Sequence, residues 1–274
     1  VNMPADNIKK AIQRGTGDAT VTGNGTINVV GGLTTTRAYG IIISNEGGNI
    51  AVDYAGDISA SGAVAGGIRA DARAGSVRVD YTGNRIETFN GNANGIYAST
   101  QSTTDTVDIK AGGTIITHSN TGGGDGTGIG SFGLQALSLG GDVNVTFTGP
   151  RIDVNGSGAA IVAGNAFDSG TGLGSLNVSN KGELIARGNQ QQGIRTFSTT
   201  GQQTITNTGA IQTLGASNSQ GIRAEASGAA NVTVNNSGAI TTKGTGSSGI
   251  DAQAQGGSVS VSNSAAIQGG WSDS

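Results

Sequence analysis

One histidine, no cysteine and a thin scatter of acids and arginines are all that this sequence offers for chemistry. His118 follows Ile115-Ile116 in a polar turn, with no acid at triad spacing, and reads as an exposed turn histidine. Without cysteine there is neither a disulfide nor a thiolate metal site. Asp53 and Asp80 each come one residue after the central Val of their repeat, Val52 and Val79, at equivalent places of two successive repeats. On neighbouring strands they would lie about 5 Å apart, within reach of the two-carboxylate geometry of glycoside hydrolysis. No histidine or arginine cluster can be placed beside them, so a solvated face is the simpler reading. Gly122–Gly130, GGGDGTGIG, superficially matches a calcium nonapeptide or a phosphate loop. The nonapeptide occurs once rather than in tandem, and no helix follows as a dinucleotide loop requires. The sequence implies no cofactor.

Recognition has better candidates. A Gly-Ile pair recurs along the chain, and the residue after it is Arg69, Tyr97, Gly130, Val162, Arg195, Arg223 and Asp251 in successive copies. Alternation turns this position outward, so Arg195 and Arg223 should stack one repeat apart. Exposed arginine beside tyrosine suits carboxylates or sugars. Two neighbouring copies are longer than the rest between Gly128 and Val145 and between Ala160 and Val178. The extra residues are expected in Phe132–Gly141 and Asn165–Gly174, as loops leaving one corner and touching. They carry Phe132, Leu134, Leu137, Leu139, Phe167 and Leu173, an apolar set that is either self-packed or offered to a partner. A third long turn, His118–Thr127, leaves a different corner.

These side chains need a scaffold, and the repeat supplies it. The anchors Gly40, Gly67, Gly95, Gly128, Gly193, Gly221 and Gly249, with Ala160-Ile161 filling the gap, recur every 27 to 33 residues, the signature of a solenoid. Inside each copy runs a period-2 frame such as Val232-Val234-Asn236-Gly238-Ile240, which reads as strand. A propeller blade would take about 40 residues and four antiparallel strands. The sequence therefore predicts an all-β, single-stranded right-handed parallel β-helix of about nine coils of three short strands, a rod about 40 Å long. One column of the frame reads Tyr54, Tyr81, Ala111, Phe147, then Asn180, Asn207, Asn236 and Asn263. If it points inward, the tyrosines stack and the asparagines form an amide ladder, with a structural role.

Composition constrains the rest. Glycine is abundant (51 residues) and apolar residues make up only 34%. That mix would suggest disorder, but the Val, Ile and Leu residues fall in register for a narrow core. The net charge of −3 and the lack of any basic run argue against nucleic acid. Residues 1–16 break the pattern. Ile8, Ala11 and Ile12 have helical spacing, and a short capping segment over the end of residues 17–274 is expected. The first residues lack the apolar stretch of a signal peptide, and the last coil stops short with Trp271 near its end. Both facts suit a piece of a longer protein.

Units such as VNNSGAITTKGTGSSGIDA, ITNTGAIQTLGASNSQGIRA and VSNKGELIARGNQQQGIRT resemble the passenger of type V autotransporters, over roughly residues 17–270. The resemblance implies export to the bacterial cell surface, tethering to the outer membrane through a C-terminal β-barrel missing here, or secretion. It implies a non-enzymatic adhesin that binds a host-cell surface protein or glycan, or associates with itself. The alternatives are a polysaccharide-acting β-helix enzyme and a passive stalk displaying another domain.

Overall fold

The computed structural model describes residues 16–31, 37–119, 130–165 and 173–271. The capping segment expected in residues 1–16 lies, but for Thr16, outside the described residues, as do Phe167 and most of Gly122–Gly130.

The chain is an all-β parallel β-helix, and every strand pair between coils among the described residues is parallel, in register save for one shift between Ile240–Lys243 and Ile267–Trp271. Three sheets line the rod among the described residues. The first runs from Ala19–Gly23 to Val259–Asn263 and the second from Ile27–Val30 to Ile267–Trp271, nine strands each; the third runs from Arg37–Asn45 to Ser248–Ala254 with eight. Each coil contributes one strand to each sheet, except the last, which supplies strands to the first and second only. Period-2 patterning places Ile50, Val52 and Tyr54 of the first sheet inward, all buried, while Ala51 and Asp53 face out. The core is a narrow column of stacked Val, Ile and Ala.

The Gly-Ile anchor has a steric cause. A Cβ on Gly40 would lie 2.3 Å from Cγ2 of Ile58, on the second-sheet strand of the next coil. The same clash, at 2.1 to 2.4 Å, recurs between Gly67 and Ile86, Gly95 and Ile115, Gly193 and Ile211, Gly221 and Ile240, and Gly249 and Ile267. One anchor is alanine, Ala160, and there the isoleucine column holds Leu184, in register between Ile152 and Ile211. Leucine has no branch at Cβ, so the crowding methyl is gone where the anchor gains one.

This contact corrects one anchor. Leu134 pairs with Ile96 below and Ile161 above, so Gly133-Leu134 is the pair in that coil, not Gly128-Ile129. Gly133 meets Ile152 at 2.3 Å as its counterparts do. Ser131–Ser138 is a strand of the third sheet, not an insertion loop. The extra residues of that coil precede the strand, between His118 and Ser131, at the corner from the second to the third sheet. The stretch between Asn165 and Leu176 lies at the corner from the third to the first. The two lengthened stretches therefore join different pairs of sheets.

The tyrosine and asparagine column faces the core. Tyr54 and Tyr81 are register partners, and both are buried. Asn180 donates to Asn207 Oδ1 at 2.7 Å, Asn207 to Asn236 at 2.7 Å, and Asn236 to Asn263 at 2.6 Å. Each amide also donates to a turn carbonyl two residues on: Gly182, Gly209, Gly238 and Ala265. A second polar column closes the corner from the third to the first sheet. Asn45 donates to the carbonyls of Gly17 and Gly48, Thr100 to that of Gly75, Asn165 to that of Gly174, and Ser198 to that of Gly201. Its residue type changes from coil to coil, which hid it from a search for repeated letters.

Candidate functional site

The outer face of the third sheet carries a cluster of interacting polar side chains near its N-terminal end. Arg69 and Asp71 lie two residues apart on Val64–Ala72, so they share a face. Tyr97 and Ser99 occupy the partner positions on Asn92–Thr100, and Ser44 sits opposite Asp71 on Arg37–Asn45. Tyr39 stands over Gly66, where an added Cβ would fall 2.5 Å from the ring. Glycine at that outward position lets the tyrosine lie flat on the sheet.

Arg69 is the hub. Its guanidinium lies 5.0 Å from the Tyr97 ring centre and 5.8 Å from that of Tyr39. Nε donates to Asp71 Oδ2 at 2.5 Å, and Nη1 donates to the Tyr39 hydroxyl at 3.3 Å. Ser99 Oγ donates to the other Asp71 oxygen at 2.8 Å. Burial works to lower the Arg69 pKa, and the Asp71 carboxylate outweighs it, so the guanidinium is held well above its ordinary value. Burial pushes the Tyr97 phenol up. The cluster opens into a groove of about 800 Å³ lined by Ser44, Asn45, Glu46, Arg69, Asp71, Ala72, Arg73, Tyr97, Ser99, Gln101 and Leu139. Arg73 pairs with Glu46 at 3.2 Å on its rim.

The other arginines of this face lie further along the rod. Arg195 and Arg223 are register partners, as their spacing predicts, and both turn toward Glu225, at 3.9 and 2.5 Å. The Arg195 guanidinium covers Phe197 at 5.3 Å. They do not continue the Arg69 cluster. Between them the outward column reads Tyr97, Gln135 and Val162, with Gln135 where the sequence frame had Gly130. A small apolar cluster apart from the core occupies that gap: Leu137, Ala159 and Val162, with Tyr97, Phe132 and Phe197 against it.

The apolar residues expected in loops are thus redistributed. Leu134 is fully buried in the core and presents nothing to a partner. Phe132 and Leu137 belong to the outer cluster of the sheet. Leu139 borders the groove, and Leu173 is exposed.

The acids that suggested hydrolysis share one arginine. Asp53 and Asp80 are register partners, and Arg78 reaches both, at 2.6 and 3.8 Å. That bridging arginine lies on the same strand as Asp80, two residues before it, and had no place in the sequence reading. His118 ends a strand rather than sitting in a turn. Its Nε2 lies 2.9 Å from Glu87, which Arg85 also holds at 2.7 Å, and its ring stacks on Phe89 at 4.9 Å. The acid comes from the preceding coil, which no linear spacing reveals. Asp71 was missed too, although Arg-x-Asp followed one period later by Tyr-x-Ser was a usable signal, echoed by Arg223-x-Glu225.

No family model matches the chain, and no curated protein or solved structure gives a match to it.

Proposed function

We propose that this chain is a segment of an exported, surface-displayed β-helix of the autotransporter-passenger kind, acting in adhesion rather than catalysis. Its contact face is the outer side of the third sheet around Arg69. The observation that carries this reading is the groove itself, an 800 Å³ concavity whose polar lining stands largely on rigid, register-locked strands. Preorganised side chains lose little entropy on binding, which favours recognition. The two acids that a hydrolytic reading would use, Asp53 and Asp80, share Arg78. That pairing favours binding over proton transfer.

The test is cell attachment. Beads coated with the protein are mixed with epithelial cells and with beads of the same coat. Adherence to one or both is expected, and it should drop severalfold for Arg69→Ala and for Asp71→Ala at equal coating density. A passive stalk would give coated beads that adhere no better than bare ones, and that result would end the adhesive reading.

A further inference from the structure

The groove around Arg69 also carries information about its ligand, and this step rests on the adhesive reading above. We infer that it takes an uncharged, hydroxyl-rich oligosaccharide. Charge balance is the first reason. The two cations lining the groove, Arg69 and Arg73, face the two anions, Asp71 and Glu46, and each cation is already paired with one of them. An acidic sugar or acidic peptide would have to displace a carboxylate from Arg69, against a 2.5 Å charge-assisted bond. Like-charge repulsion from Asp71 and Glu46 would add to that cost.

The shape of the polar set is the second reason. Asp71 is fixed through both oxygens, by Arg69 Nε and by Ser99 Oγ, and each carboxylate oxygen keeps a lone pair for another donor. The guanidinium beside it keeps donor capacity on its Nη atoms. A donor edge and an acceptor edge side by side match two vicinal hydroxyls of a pyranose, one accepting and one donating. Ser44, Asn45, Ser99 and Gln101 extend this mixed lining. Only Ala72 and Leu139 are aliphatic there, too few to form the row of side-chain pockets by which an extended peptide is anchored. The aromatic face of Tyr97 is already covered by Arg69, so recognition rests on hydrogen bonds.

The experiment titrates the purified chain, by calorimetry, with maltohexaose, cellohexaose, mannohexaose and hexagalacturonate. At least one neutral hexasaccharide should bind, with a Kd between about 10 μM and 1 mM. Its affinity should change less than about twofold when salt rises from about 0.05 to about 0.5 M, because no net charge is exchanged. Arg69→Ala and Asp71→Asn should each weaken binding at least about tenfold. If Arg69→Ala proves misfolded by circular dichroism, Gln101→Trp fills the groove from an exposed position and should abolish binding while leaving the strands intact. Tighter, salt-sensitive binding of the uronate overturns the inference. So does the absence of binding by every neutral chain, or binding that these variants leave unchanged. Beads that adhere through Arg69 while no neutral sugar binds would keep the adhesive reading and remove the sugar.

Discussion

Asn207 sits inside a buried relay, where it accepts from Asn180 of the coil below and donates to Asn236 of the coil above. Replacing it with leucine keeps the branching of the side chain and removes both links, along with the bond to the Gly209 carbonyl. Unsatisfied buried groups cost about 1–3 kcal/mol. Asn207→Leu should therefore shift the denaturant midpoint down by that much, and an unchanged midpoint would mean the relay contributes nothing. Asp153 makes a pH-dependent contribution of another kind. Burial works to raise its carboxyl, but Arg187, at 2.8 and 3.0 Å, and Arg151 hold it below the ordinary value. A depressed folded pKa means that the contribution is present above the unfolded value of about 3.9 and lost as pH falls through the folded value. Unfolding midpoints recorded downward from pH 6 should fall as the pH drops below about 4. Asp153→Asn should be less stable at pH 6 and show a flatter acid limb. A limb as steep as that of the parent protein would place the acid sensitivity elsewhere.

At the scale of the element, the anchor and the isoleucine facing it are one steric unit. Gly193→Ala drives a Cβ to 2.3 Å from Ile211 Cγ2 and 2.6 Å from the Gly221 carbonyl. Overpacking of this kind costs about 1–3 kcal/mol. Pairing it with Ile211→Leu reproduces the Ala160 and Leu184 combination that the chain already uses. The double mutant should recover about 1 kcal/mol of coupling energy; purely additive losses would show that the two positions do not meet. The strands and the inward columns were legible because side-chain alternation and coil stacking force the same residue types into the same places. The one displaced anchor arose because corners are not so constrained. Loop length is entropically cheap, so residues between His118 and Ser131 could include a Gly-Ile that mimics the anchor while Gly133-Leu134 takes the strand position. The Arg69 groove was legible only in part. Arginine at the outward position could be read from the repeat. Its partners Asp71, Ser99 and Tyr39 come together through register between strands, and Glu87 reaches His118 in the same way.

For the whole molecule, stacked identical coils mean that stability is close to a sum of nearest-neighbour terms. Removing Gly193–Gln220 joins Gln192 directly to Gly221. Gln192 and Gln220 are register partners, so every downstream column moves one coil and keeps its face. The amide ladder would then run Asn180, Asn236, Asn263, shortened but continuous. The deletion should retain a β-rich circular dichroism spectrum and a single unfolding transition, with a melting temperature lower by a few degrees for the lost interface. Removing Gly193–Thr206 instead would delete the first-sheet strand but for Asn207 and run the start of the third-sheet strand into the turn before the second-sheet strand Ile211–Thr213, a corner out of phase, and it should abolish cooperative unfolding. The Arg69 groove lies on strands well separated from the cut, and each coil contacts only its neighbours. Oligosaccharide affinity in the whole-coil deletion should thus stay within about twofold of the parent. Equal disruption by both deletions would show that the coils are not interchangeable, and loss of binding in the whole-coil deletion would mean that the groove depends on the length of the rod.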